Sequence, residues 1–108
     1  MTNQERIKAL TDLLLKNPDD SFSRYALALE YNSVGEMERA IAALQELIQR
    51  DRKYIAAYHQ LGQLYCKVNK TAEAKKIYRQ GIELAVEAND LHAKTEMEEE
   101  LEDIEDEW

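Results

Sequence analysis

The chain has 108 residues, of which 44% are hydrophobic, and it contains one cysteine, one proline and three glycines. This length is typical of a single domain, and one cysteine excludes a framework of intramolecular disulfides. No apolar run reaches the length of a membrane span, so we expect a cytoplasmic protein that contacts no membrane.

The formal net charge of −8 arises at one end of the sequence. Residues 1–95 carry all 14 lysines and arginines together with 13 acidic residues, a balance of +1, whereas residues 96–108 hold nine acids and no base. Proteins that bind nucleic acids usually carry a basic stripe. This sequence has only the small cluster Lys75, Lys76 and Arg79, so we expect no nucleic acid among its partners.

Apolar residues recur at spacings of three and four along the chain, and no segment alternates apolar with polar residues. The first pattern is typical of amphipathic helices, whereas alternation would indicate strands. We therefore predict an all-α fold of six helices, at residues 4–16, 20–34, 37–50, 54–68, 71–87 and 89–106.

The first predicted helix is rich in apolar residues. They are Ile7, Leu10, Leu13, Leu14 and Leu15. A single neighbouring helix covers only one stripe of such a surface. The remaining apolar side chains make this helix a candidate for end-to-end dimerisation.

The middle of the chain consists of two copies of one unit, at residues 21–54 and 55–88, with a period of about 34 residues. Such a period is typical of stacked helical arrays, which serve as binding scaffolds. Identical residues occupy five matched pairs of positions, Leu27/Leu61, Tyr31/Tyr65, Val34/Val68, Ala40/Ala74 and Ile48/Ile82.

Small and turn-forming residues also match between the copies. Ala28 and Gly62 leave room for two antiparallel helices to approach closely. Gly35 and Asn69 follow the first helix of each copy, and both residue types accept the left-handed backbone found at helix ends. Each copy is therefore predicted to be a pair of closely packed helices.

This pattern resembles the tetratricopeptide repeat family. The residues that carry the resemblance are Tyr58, Leu61, Gly62, Tyr65, Ala74 and Tyr78 in the second copy and Leu27, Ala28, Tyr31, Ala40 and Leu44 in the first. Arg24 departs from the bulky residue that opens the motif. The proline expected between repeats is absent after both copies but present at Pro18, one period earlier.

The resemblance implies one domain over residues 1–108, built as a short right-handed superhelix. Its parts would be the second helix of a truncated unit at 4–16, repeats at 21–54 and 55–88, and an acidic capping helix at 89–108. It also implies a scaffold or adaptor without enzymatic activity. Such a protein would bind an extended or helical segment of another protein in a concave groove.

In the family, the first helix of each pair lines this groove. The corresponding residues here are Phe22, Tyr25, Leu29, Asn32, His59, Gln60, Gln63, Cys66 and, on the last helix, Met97. We expect Tyr25 and Leu29 to anchor the partner, because aromatic side chains dominate binding hot spots. His59, Gln63 and Asn32 would supply hydrogen bonds. For Phe22 and Tyr25 the alternative is packing against the first helix.

One subclass of the family clamps the terminal carboxylate of chaperone tails with lysine, arginine and asparagine. Tyr25, Leu29, Ala56 and Gln60 occupy the corresponding positions here. The sequence therefore disfavours a carboxylate clamp and favours an apolar or amphipathic partner segment.

A catalytic or metal role for His59 and Cys66 is disfavoured by their spacing. They are seven residues apart and share a helical face, but two helical turns separate them by about 10–11 Å. A nucleophile and its base need hydrogen-bond contact, and zinc needs several ligands at short spacing. We predict no catalytic residues, no metal and no cofactor.

The acidic tail carries an apolar seam. Met97, Leu101, Ile104 and Trp108 recur at spacings of four, three and four. We interpret the tail as a capping helix whose seam covers the last repeat, with Lys75 and Arg79 near its carboxylates. The alternative is that the seam docks on a second copy, which leaves open a homodimer. Met1 and the charged cap lead us to expect a complete small protein.

Overall fold

Six α-helices and no strand make up the regular structure of residues 1–105, the part of the chain that the computed structural model describes. They are α1 (Asn3–Lys16), α2 (Ser21–Ser33), α3 (Met37–Arg50), α4 (Ile55–Lys67), α5 (Thr71–Glu87) and α6 (Leu91–Glu105). The prediction of an all-α fold with six helices is confirmed. None of the helices in residues 1–105 is long and apolar enough to cross a membrane.

Polar side chains begin several of the helices. At α1 the Thr2 hydroxyl accepts a hydrogen bond from the Glu5 backbone N–H, and the Glu5 carboxylate accepts one from the Thr2 N–H. The Asp20 carboxylate caps α2 by accepting from the Ser23 N–H. Asp90 accepts from the Ala93 N–H at the start of α6. These bonds satisfy backbone donors that a helix start leaves unpaired.

Left-handed residues end three of the helices. Gly35 and Asn69 have φ angles of 80° and 62°, which confirms the turns predicted after α2 and α4. Asn89 has a φ angle of 57° and does the same after α5. The next N–H reaches back to a carbonyl of the last helical turn each time, as in the 2.8 Å bond from Lys70 to Tyr65.

The chain forms two compact units, and the division after Tyr54 coincides with the predicted boundary between the repeats. In the first unit α2 packs against both α1 and α3. Its buried apolar residues are Leu14, Leu27, Ala28, Ala40, Ile41, Leu44 and Leu47. Two bonds to Glu30, from Asn3 and Arg6, tie α1 to α2. Arg24, at the position that departs from the motif, donates to the Pro18 carbonyl.

The second unit begins at Ile55 and consists of α4, α5 and α6. A Cβ added at Gly62 would lie 2.6 Å from two ring carbons of Tyr78, which confirms the predicted close approach of α4 and α5. A Cβ added at Gly81 would lie 2.7 Å from the sulfur of Met97 and 2.8 Å from the Cβ of Tyr58. The comparison of the two sequence copies did not predict this second close contact.

Helix α6 packs on α5, as the capping interpretation predicts. Met97 and Ile104 of the seam are buried and Leu101 is half-buried. Arg79 of α5 pairs with Glu105 at 3.2 Å. The fourth predicted seam residue, Trp108, lies outside the described residues.

Candidate functional site

Helix α2 presents an apolar surface. Phe22 is 71% exposed, Leu29 is 39% exposed, and Tyr25 is half-buried. Their spacings of three and four place them on one side of the helix, together with Asn32 three residues further on. We call these four residues the α2 face. Because most of the Phe22 ring is exposed, the alternative that it packs against α1 is not supported.

Tyr25 is held by an aromatic contact within the first unit. Its ring centroid lies 5.5 Å from that of Tyr54, with the planes inclined by 45°. Aromatic pairs at this distance and tilt are favourable beyond the area they bury. Burial and the nearby charges of Asp51 and Asp20 raise the pKa of Tyr54, so its hydroxyl stays protonated at neutral pH. The contact fixes one edge of Tyr25.

Asn32 ends the α2 face toward the C-terminus of the helix. The residue is half-buried, and its Oδ1 atom is buried without a hydrogen-bond partner in residues 1–105. The charged residues near the α2 face are engaged elsewhere: Glu30 binds Arg6 and Asn3, and Arg24 binds the Pro18 carbonyl. The α2 face itself carries no ionisable side chain apart from the tyrosine.

The predicted α4 residues lie in a different environment. His59, Gln60, Gln63 and Cys66 are all half-buried. The Nε2 atoms of His59 and Gln63 lie 2.5 Å and 3.0 Å from the two carboxylate oxygens of Glu100 on α6. The Tyr78 hydroxyl donates to the same carboxylate at 2.7 Å. Two side chains that we expected to bind a partner are therefore engaged by the chain's own last helix.

The hydrogens in this cluster follow from chemistry. A carboxylate only accepts, so His59 Nε2 must carry the proton that it shares with Glu100. Gln63 Nε2 is also a donor, and it lies 3.3 Å from His59 Nε2. Two donors do not bond to each other, so this approach is a contact, and within residues 1–105 the Gln63 amide bonds to Glu100. All three donors converge on one acceptor group.

These contacts shift two pKa values. Burial raises the pKa of Glu100, but the hydrogen bonds from His59, Tyr78 and Gln63 together outweigh it and leave the pKa below its ordinary value. Burial, followed by the hydrogen bond to Glu100, raises the pKa of Tyr78 far above its usual range. Glu100 is therefore ionised and Tyr78 protonated at neutral pH, as the bond between them requires.

Glu100 is the residue that the sequence reasoning missed. It lies three residues after Met97 and four before Ile104, so it shares the seam side of α6. The sequence did contain a signal for this role. A carboxylate stands among apolar positions expected to be buried, and a buried charge needs a polar partner.

Met97 is not part of an exposed surface, and its assignment to the groove is wrong. It is 0% exposed because its thioether fills the space opposite Gly81. A flexible, unbranched side chain is well suited to such a gap. Within residues 1–105, no group of three His, Cys, Asp or Glu side chains is arranged to hold a metal ion.

Comparisons with known proteins agree with the motif residues. A model of the tetratricopeptide repeat family matches residues 1–84. A TPR repeat-containing protein of Pseudomonas aeruginosa is 32% identical over 91 residues, which cover 84% of this chain and 87% of that protein.

Solved structures that are similar to this chain include the following two. A tetratricopeptide repeat domain protein from Salinibacter ruber has a TM-score of 0.78 at 36% identity and covers 82% of this chain and 90% of its own. The first TPR domain of Spaghetti (RPAP3), bound to the HSP90 peptide SRMEEVD, has a TM-score of 0.78 at 25% identity over 95% of this chain and 79% of its own. The family model spans most of the helices described above, and the chain therefore belongs to the tetratricopeptide repeat family.

Proposed function

We propose that this protein is an adaptor whose α2 face binds an apolar or amphipathic segment of a partner protein. The tetratricopeptide repeat is a non-enzymatic protein-interaction fold. The observation that carries the proposal is the exposure of Phe22 and Leu29 on one side of α2. Large apolar side chains gathered on a surface are typical of interaction sites.

Residues on the α2 face divide into two roles. Tyr25 and Leu29 are the proposed anchors, because Tyr25 is already oriented by Tyr54 and loses little freedom when a partner binds. Phe22 extends the apolar contact toward the start of the helix. Asn32 is proposed to fix the orientation of the partner by hydrogen bonding through its amide group.

The chemistry of the α2 face distinguishes its partner from an acidic tail. The peptide bound by the RPAP3 domain, SRMEEVD, contains three acidic residues. No lysine or arginine belongs to the α2 face, and Ala56 and Gln60 on α4 are also uncharged. An acidic peptide would lose its hydration here without gaining a cationic partner. We therefore propose a partner segment anchored by apolar side chains.

On α4 we propose two of the four predicted residues as partner contacts. His59 and Gln63 already bond to Glu100, so they would bind a partner only if that carboxylate were displaced. Gln60 and Cys66 stay as proposed contacts of the second unit.

A peptide library displayed on phage tests the α2 face. Peptides selected on the parent protein should contain two or more aromatic or aliphatic residues. Their dissociation constants, measured by fluorescence anisotropy, should rise by about tenfold or more for Phe22→Ser/Leu29→Ser, because the variant removes the proposed anchor Leu29 together with the adjoining apolar contact of Phe22. Leu91→Ser is the matched control, since Leu91 is 64% exposed on α6. Equal binding by the parent and the double variant would contradict the proposal.

Self-association through α1 is a second candidate function. Leu13 and Leu15 are 50% and 77% exposed on either side of Leu14, which is 8% exposed. Apolar side chains exposed in this way favour a contact with a second copy.

Sedimentation velocity at micromolar concentration tests this candidate. The parent should sediment as a dimer and Leu13→Glu/Leu15→Glu as a monomer, because each glutamate would place a charge in an apolar contact. Leu14→Glu is unsuitable, since this buried residue contributes to the fold. Leu91→Glu serves as a control on another helix. A monomeric parent would remove the candidate.

A further inference from the structure

The second unit carries an apolar cleft that plays no part in the proposed α2 site. It lies between α5 and α6 and has a volume of about 630 Å³. Ile82 and Leu101, both half-buried, form its apolar floor. Val86, one turn beyond Ile82 on α5, is 54% exposed and continues the apolar strip. The apolar surface therefore extends over several side chains and runs along the axes of α5 and α6.

The rim of the cleft is acidic. Four glutamates and one arginine line it, namely Glu83, Glu98, Glu102, Glu105 and Arg79. Arg79 is neutralised by Glu105 at 3.2 Å, and Glu98 pairs with the half-buried Lys94 at 3.0 Å. Glu83 and Glu102 have no ion pair within residues 1–105. The cleft therefore combines an apolar floor with uncompensated negative charge.

The spacing of the rim residues suits a helical partner. Glu98, Leu101, Glu102 and Glu105 follow at intervals of three, one and three, so they share one side of α6. Glu98 and Glu105 are two turns apart, about 10–11 Å along the axis. A helix lying in the cleft would place residues seven apart at the same separation. Lysine or arginine at those positions would share Glu98 and Glu105 with Lys94 and Arg79, and basic residues beside them would meet Glu83 and Glu102. The apolar residues between them would contact the floor.

We propose that this cleft, which we call the α5–α6 cleft, is a docking surface for a basic amphipathic helix of a partner protein. Charge complementarity selects this class of partner. The negative rim repels anionic membranes and nucleic acids. The partner also needs an apolar stripe, because Ile82, Leu101 and Val86 are uncharged and would contact apolar side chains.

The test uses three fluorescein-labelled synthetic helical peptides of about 15 residues and the full chain. The first peptide carries a leucine stripe flanked by lysines, the second has glutamate in place of lysine, and the third has the first composition in an order that destroys the stripe. Fluorescence anisotropy should show binding of the first peptide only. Its affinity should fall as salt is raised, because these charges are exposed to solvent.

Variants of equal net charge locate the site. Glu83→Gln/Glu98→Gln/Glu102→Gln should weaken binding of the leucine–lysine peptide by about tenfold or more. The control Glu73→Gln/Glu87→Gln/Glu99→Gln removes three exposed charges that do not line the cleft, and it should change the affinity by less than about twofold. Circular dichroism checks that both variants remain helical.

Three results would overturn the proposal. The first is equal weakening by the two triple variants, which would indicate general attraction to an acidic protein. The second is binding of the stripe-free peptide as tightly as the first, which would show that the apolar floor plays no part. The third is a cleft variant that changes only the sedimentation of the protein, which would assign the cleft to contact between two copies.

Discussion

Replacing Gly62 by leucine should lower the free energy of unfolding by about 3 kcal/mol or more. Even a Cβ at this position would lie 2.6 Å from the Tyr78 ring. Tyr78 is 1% exposed and its hydroxyl bonds to Glu100, so turning the ring away would break this bond and disturb buried contacts. Urea unfolding followed by circular dichroism at 222 nm measures the change.

Alanine at position 62 separates two opposing effects. Alanine favours the helix over glycine by about 1 kcal/mol, whereas overlap with the ring destabilises the packed pair. If α4 and α5 pack as described, Gly62→Ala should still be less stable than the parent. Lys67→Leu, an exposed change on the same helix, should leave the stability within about 0.5 kcal/mol.

A double-mutant cycle assigns the effect to the contact itself. Tyr78→Ala alone should cost about 3–5 kcal/mol through the cavity it leaves. Combined with Gly62→Leu, the leucine can occupy part of that space, so the total should be smaller than the sum of the single changes by at least about 1 kcal/mol. Additive effects, or a Gly62→Leu protein that unfolds like the parent, would show that the two helices are not in close contact.

Replacing Glu100 by glutamine should lower the free energy of unfolding by about 1–3 kcal/mol at pH 7. The carboxylate accepts from His59, Gln63 and Tyr78 through both of its oxygens. A glutamine side chain has only one acceptor oxygen, and its NH₂ group would face at least one of these donors. A donor that faces the NH₂ group would lose its partner, and if that donor is His59 its ring proton would have to move to Nδ1 to restore the bond.

The difference between the parent and Glu100→Gln should depend on pH. Folding lowers the pKa of Glu100 below its ordinary value of 4.5, so its stabilising contribution is fully present above that pH. The contribution is lost as the pH falls through the lower pKa of the folded protein, because the folded state must then take up a proton. The gap between the two unfolding curves should therefore narrow from pH 5 toward pH 3.

Glu99→Gln is the matched control for this experiment. Glu99 is the neighbouring residue on α6 and is exposed. Its replacement should change the stability by less than about 0.5 kcal/mol at pH 7 and should not alter the pH dependence. A parent–variant gap at Glu100 that is the same at pH 3 and pH 7, or an equal effect of Glu99→Gln, would contradict the role assigned to the Glu100 carboxylate.

Sequence patterns predicted the helices well because helix formation depends mainly on residues that are close in the sequence. A helix needs an apolar stripe of the correct period and residues that accept the geometry of its ends. Gly35 and Asn69 adopt the left-handed backbone expected of them, and the helix boundaries predicted within residues 1–105 agree to within two residues. Gly62 also predicted its own contact, since a glycine inside a helix usually has a packing reason.

The candidate sites were harder to predict because they depend on contacts between distant residues. Phe22 and Leu29 are exposed as expected, but His59 and Gln63 are occupied by Glu100, 41 and 37 residues away in the chain. The position of Met97 along α6 fits both the predicted groove surface and the predicted seam. Which side of α6 faces α5 decides between them, and helical period alone does not specify that rotation.

The sequence by itself determined the family, the six helices and the turns, because each depends on side chains within a few residues of one another or on a repeat visible along the chain. Only the tertiary structure decided which polar groups are available for a partner and which are satisfied internally. The reason is physical: a hydrogen bond requires two atoms within about 3 Å, and for Glu100 that condition is met by residues of the neighbouring helices α4 and α5. Glu100, Tyr78 and Gly81 acquired their roles only when α4, α5 and α6 packed together.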